Sequence, residues 1–230
     1  MTRFIYDEFS KDYLDELLSA YGKVKTAKTV ASERREIDVY FEPYSSELPE
    51  SLGLLGKLAS KPCIFEPYRN PVKSQEIRAC LGKLVAIEGE MIRESNRQKR
   101  YLKEDELPYL WILTPTASKA ILAGFGAKTY PEWGEGIYLG ANLLRMGIVV
   151  IHRLPVTPST LLLRLLGKGK VQTRAIEEVE SLAEDNPFKS VILAQLYNLQ
   201  QNLFRQQPTN SETQELVMRL APLYQQDRAK

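Results

Sequence analysis

Two stretches of the chain alternate apolar and polar residues in the period-two rhythm of a half-buried strand. In Glu36-Ile37-Asp38-Val39-Tyr40-Phe41-Glu42, the residues Ile37, Val39 and Phe41 fall on one face and Asp38 on the other. In Pro62-Cys63-Ile64-Phe65-Glu66-Pro67-Tyr68, one face holds Ile64, Glu66 and Tyr68, and the other Cys63 and Phe65. Upstream, Phe9, Tyr13, Leu14, Leu17, Leu18 and Tyr21 recur at helical spacing, so residues 6–21 predict an amphipathic helix that Gly22 ends. Residues 24–31 predict a strand that forms a hairpin with residues 36–42, turning near 32–35.

The pattern continues as a mixed α/β unit. Residues 43–61 predict a loop enclosing one short helix around Leu52, Leu54, Leu55 and Leu58, with a third strand at 63–66. Ser74 is the expected N-cap of a long helix that carries Ile77, Leu81, Leu84, Val85, Met91 and Ile92 and runs to about Arg100, with Glu76 in its first turn. Strands at 110–113, 137–139 and 148–151 and a small helix at 117–123 complete a domain over residues 1–155. Residues 156–230 then read as helices only. Thr157-Pro158 opens one that Gly167 closes, residues 171–182 form the next, and Asn186-Pro187 precedes a stripe of Phe188, Val191, Ile192, Leu196, Leu199 and Leu203. Ser211-Glu212-Thr213-Gln214 is a capping box for a fourth. With no flexible linker between the halves, the helical extension is expected to pack on the α/β domain.

Composition narrows the classes. A hydrophobic fraction of 43% over 230 residues supports one sizeable core. The net charge of +2 does not by itself announce a nucleic-acid partner. Cys63 and Cys80 lack metal-ligand spacing, which argues against a zinc knuckle or a disulfide framework. No apolar run approaches the roughly 18 residues of a spanning helix, and the first ten residues lack a signal-peptide layout, so the expected location is cytoplasmic and away from the membrane.

The candidate chemistry lies in the two strands. If they are neighbours, Asp38 and Glu66 converge, and two carboxylates brought together need a cation, a basic side chain or a shared proton. Helix, three strands, helix, strand, with an acid on strand two and another near the end of strand three, resembles the PD-(D/E)XK, or restriction-endonuclease-like, superfamily. It is similar in particular to Rpn-type recombination-promoting nucleases and related cyanobacterial proteins. Asp7-Glu8-Phe9-Ser10-Lys11 is similar to the D-x-x-F-K run that opens the Rpn-type domain, with Ser10 in place of Phe. The resemblance spans roughly residues 6–114. It implies a restriction-endonuclease-like core with extra strands and a C-terminal all-helical extension, Mg²⁺ or Mn²⁺ held by Asp38 and Glu66, a further acid from Asp7 or Glu8, DNA as substrate and a homodimer.

One position departs from the family. Two residues after the strand-three acid the family carries Lys, or Gln in some branches, whereas this chain has Tyr68. A phenol with an ordinary pKa near 10 donates a hydrogen bond but brings no positive charge. Some members recruit a basic residue from the next helix, and Lys73, Arg78 and Lys83 are the candidates for that role. For nucleic-acid contact the cluster Arg164, Lys168, Lys170 and Arg174 is preferred over Arg97, Lys99, Arg100 and Lys103, which complement a helix C-terminus. His152, the only histidine, reads as structural, and the Gly134-Glu135-Gly136 and Gly167-Lys168-Gly169-Lys170 runs read as turns. Two functions follow from the resemblance. One is a metal-dependent DNA endonuclease, weakened or silenced by Tyr68. The other is a non-catalytic nucleic-acid-binding or protein-interaction module on the same fold.

Overall fold

A computed structural model of the protein describes residues 2–30, 35–205, 214 and 216–219. The elements in order are α1 (Thr2–Leu18), β1 (Gly22–Val30), β2 (Arg35–Pro43), α2 (Gly53–Leu58), β3 (Cys63–Pro67), α3 (Ser74–Arg97), β4 (Tyr109–Thr114), α4 (Lys119–Gly124), β5 (Ile137–Leu139), β6 (Met146–Val150), α5 (Leu161–Arg164), α6 (Lys170–Glu180) and α7 (Lys189–Arg205). The expected hairpin turn, apart from Arg35, and the capping box at Ser211, apart from Gln214, lie outside the described residues.

The strands form one six-stranded sheet in the order β1-β2-β3-β4-β6-β5. Successive pairs from β1 to β3 are antiparallel, whereas β3, β4 and β6 run parallel and β5 returns antiparallel at the edge. Every residue of β3 and β6 is buried, as expected of parallel strands covered on both faces. Val39, Phe41, Cys63, Phe65, Trp111, Leu113 and Val149 point toward α1 and the C-terminal helices. Ile64, Leu110, Ile112, Ile148 and Val150 point toward α3 and α4. The protein is thus a mixed α/β structure with helices on both faces of the sheet. Among the described residues no helix is long and apolar enough to cross a membrane.

Local chemistry explains where the elements differ from expectation. Gly22 opens β1 instead of closing α1, because a Cβ there would lie 2.4 Å from the Glu42 carbonyl oxygen and from the Phe41 ring. Ile37 packs with the α3-side cluster and not with Val39 and Phe41. The pairing with β3 begins at Val39, so this end of β2 is held only by β1, where a two-stranded ribbon twists more strongly. Ser74 is the first residue of α3 and not its cap. The exposed helix start is closed by the Glu76 carboxylate, which accepts from the Lys73 backbone N–H at 2.7 Å. The helix stops at Arg97 and not near Arg100, because Lys99 turns the chain left-handed at φ 52°.

The C-terminal helices share the larger buried cluster with α1 and the sheet, through Leu161, Leu163, Ile176, Ile192, Leu196 and Leu199. The Tyr13 hydroxyl on α1 donates to the Leu162 carbonyl at 2.9 Å. Arg164 is almost wholly buried and bridges α5 to α6. Its guanidinium donates to both carboxylate oxygens of Glu178, at 2.8 and 2.5 Å, and to Thr160 Oγ1 and the Thr157 carbonyl at 3.0 Å.

Candidate functional site

The register of the sheet builds the site. Val39 pairs with Phe65 and Tyr40 with Ile64, so the next step of the antiparallel ladder sets Asp38 opposite Glu66. Glu66 shares the α3 side with Ile64, whereas Asp38 follows the break in alternation at Ile37 and reaches Lys11 on α1. Asp38 and Glu66 line one cleft of about 330 Å³ with Asp7 from α1, Tyr68 to Pro71 from the loop after β3, and Lys73, Glu76 and Lys83 at the start of α3.

Glu66 is 1% exposed. Its two carboxylate oxygens accept from the Lys83 ammonium at 2.8 and 2.7 Å, and the Cys80 thiol lies 3.6 Å from Oε2. Burial is the main force on this carboxyl, followed by the charge of Asp38. Together they push its pKa up to about 7 against the opposing pull of Lys83. Asp38 meets the Lys11 ammonium at 3.0 Å. Burial works against the Lys11 charge, but the hydrogen bond and charge of Asp38, with Glu36 and Asp7 beyond it, hold the ammonium above its ordinary pKa. Each of the paired acids therefore carries its own lysine.

Tyr68 lines the cleft, and its hydroxyl lies 3.1 Å from Cys80 Sγ. Burial, then the neighbouring Cys80, drives its pKa far up, so the phenol stays neutral at physiological pH. The positive charge next to Glu66 comes from α3 instead. Glu76, Cys80 and Lys83 follow an i, i+4, i+7 spacing and present one side of the helix to the sheet. Lys83 is the one of the three helix candidates that reaches Glu66. Its signal in the sequence is its position beside the buried stripe Ile77, Cys80, Leu84 and Ile87. The part played by Lys11 was missed, although its i+4 spacing from Asp7 places both on one helix face.

The other expected residues separate. Asp7 lines the cleft, whereas Glu8 is exposed and does not line it. Arg164 is sealed in the interior by Glu178, so it is removed from the set of phosphate contacts. Lys170 and Arg174 are exposed on α6 and are absent from the cleft lining. Lys168 does reach the rim, donating from Nζ to Asn70 Oδ1 at 3.3 Å. Next to it, Arg69 Nη1 donates to the Gly167 carbonyl at 2.5 Å and to Gln172 Oε1 at 2.8 Å, so the turn before α6 braces the cleft wall. His152 sits in an exposed turn after β6, and its Nε2 accepts from the Lys168 backbone N–H at 3.3 Å.

No protein-family model matches this chain, nor does any curated protein or solved structure. The functional reading therefore rests on the cleft. Its donors are hard carboxylate oxygens, which suit Mg²⁺ or Mn²⁺. Among the described residues no group of three metal-ligating side chains forms, and Mg²⁺ commonly binds through one or two carboxylates while keeping several waters. Asp38 and Glu66 fit such a site only if their lysine contacts yield, Lys83 on both Glu66 oxygens and Lys11 on Asp38.

Proposed function

We propose that this protein is a nuclease-like member of the PD-(D/E)XK type, a metal-dependent DNA phosphodiesterase whose positive charge has moved from the third strand to the following helix. The observation that carries the reading is the Lys83 ammonium on both oxygens of Glu66, one strand away from Asp38. The order helix, three strands, helix, strand also supports it, with β1 to β3 antiparallel and β3 parallel to β4. The helix α2 is an insertion between the second and third strands.

In this reading Asp38 and Glu66 hold Mg²⁺ or Mn²⁺, and Asp7 adds a third negative charge to the cleft. The bound ion supplies an activated water and neutralises charge on the phosphodiester. Lys83 provides the fixed positive charge for the phosphate that Tyr68 does not provide. Lys73 on the cleft wall and Lys168 at the rim hold the flanking phosphates, and burial of Glu66 keeps bulk water away and strengthens each of these interactions.

The test is nicking of supercoiled plasmid in Mg²⁺ or Mn²⁺. The wild type is expected to nick, and Asp38→Ala and Lys83→Ala to lose on the order of 10²-fold or more, the usual cost of removing one group that stabilises transition-state charge. No nicking by the wild type, with no heat on metal titration, would leave the second reading, a non-catalytic binding module. That alternative has its own support in the lysine partners, which balance Glu66 and Asp38 without any ion.

A further inference from the structure

We infer that Lys83 acts as a built-in occupant of the cation position on Glu66, so that this one side chain sets how tightly the site holds a divalent ion. The inference rests on the metal reading above and goes beyond it. There Lys83 serves the phosphate, whereas here it competes with the ion before any substrate arrives.

Three observations carry it. First, one ammonium bonds both Glu66 oxygens, at 2.8 and 2.7 Å, which is the way a carboxylate grips a cation. Second, the remaining approaches to Glu66 are closed. The side chain is 1% exposed and the Cys80 thiol stands 3.6 Å from Oε2. An ion coming from the cleft therefore reaches Glu66 only as Lys83 leaves. Asp38 also carries a lysine, Lys11 at 3.0 Å, but its side chain is 25% exposed and has no such barrier of burial. Third, the displaced ammonium has somewhere to go, because Lys83 itself lines the open cleft and its side chain is 16% exposed.

Charge counting gives the direction of the effect. The cleft lining contains four acids, Asp7, Asp38, Glu66 and Glu76, and three bases, Arg69, Lys73 and Lys83. Neutralising Lys83 leaves four against two in the lining, with Lys11 on Asp38 unchanged, and takes away the cation in contact with Glu66. Attraction between unlike charges grows as separation and dielectric fall, so the nearest charge in a buried site matters most. The withdrawn ammonium remains in the cleft. It is then placed for the phosphate role proposed above.

The experiment is calorimetric titration of Mn²⁺ into wild type, Lys83→Met and Lys83→Gln at pH 8, with folding of each checked by circular dichroism. The glutamine variant keeps a hydrogen-bond donor for Glu66 if the methionine variant does not fold. Both variants are expected to bind Mn²⁺ at least tenfold more tightly than wild type. Equal or weaker binding by the variants, with measurable binding by wild type, overturns the inference and leaves the metal site standing. No binding by any of the three overturns both. Independently of any variant's affinity, the Lys83 ammonium resonance in ¹⁵N-labelled wild type is expected to shift on adding Mg²⁺. An unmoved resonance at saturating Mg²⁺ would equally overturn the competition.

Discussion

The buried Glu66 predicts a particular pH dependence of stability, and Glu66→Gln isolates it. In the folded protein its pKa rises from 4.5 to about 7, chiefly through burial and secondly through Asp38. At about 1.4 kcal/mol per unit, ionising this one carboxyl costs the fold about 3 kcal/mol. The sign follows from proton counting. Between pH 4.5 and about 7 the folded state holds more protons on Glu66 than the unfolded state does, so this group's contribution falls as pH rises through that window and is level above it. Asp12 and Glu88 are also raised, each by burial first, and tilt stability the same way. They are present in both proteins and cancel in the difference. Urea unfolding at intervals from pH 5 to pH 8 is the assay. Wild-type stability is expected to fall relative to Glu66→Gln by about 2–3 kcal/mol across that range. A difference that stays level, or that moves in favour of wild type, would refute the reasoning. It would mean that the two contacts from Lys83 outweigh burial and keep the carboxylate ionised throughout.

Two further outcomes test the scaffold around the site. Glu178→Gln leaves the almost fully buried Arg164 guanidinium without its counter-charge, and loss of one partner of a buried ion pair costs about 3 kcal/mol, to be read as a lowered Tm and urea midpoint. An unchanged midpoint would mean that Thr160 and the Thr157 carbonyl suffice to hold Arg164. Gly147→Ala places a Cβ 2.2 Å from the Trp111 ring, which sits in the core at the centre of the sheet, so destabilisation of about 1–3 kcal/mol and altered tryptophan fluorescence are expected.

The sheet was legible where periodicity and burial agree. Residues 110–113 and 148–150 read as uninterrupted apolar runs because β4 and β6 are covered on both faces, and 36–42 alternates because Val39 and Phe41 are buried while Asp38 reaches the cleft and Glu36 and Glu42 reach solvent. Local preference is overridden at particular residues. The conformational freedom of Gly22 predicts a helix stop, but what the fold needs there is its lack of a side chain against Phe41 and the Glu42 carbonyl. Capping preference points to Ser74, but the Glu76 carboxylate closes the helix start. Arg164 was read as a surface charge because local sequence does not reveal a partner on the next helix, and Glu178 is that partner. The Gly22 and Arg164 decisions are tertiary, set by atoms from another part of the chain, whereas that at Ser74 is local, a carboxylate in the first turn reaching back to Lys73.

The site follows the same logic one level up. Glu66 could be found in the sequence because strand period sets it on the face of Ile64, and the one-step extension of the Val39 and Phe65 pairing brings Asp38 opposite it, although period fails at the neighbouring Ile37. The basic group could not be fixed that way. A strand residue at position 68 would be locked to the Glu66 face by the pleat, but a helix residue reaches Glu66 only if the crossover sets α3 at the right height and rotation over the sheet. Of Lys73, Arg78 and Lys83, the one that arrives lies beside the buried Cys80 and Leu84 positions of the helix. Tyr68 then fits its place. With its hydroxyl on Cys80, it fills the space between strand and helix and leaves Glu66 to the ammonium from above. Tyr68 and Lys83 thus divide the place between them: the strand position two after Glu66 holds a neutral phenol, and the helix that covers it supplies the charge.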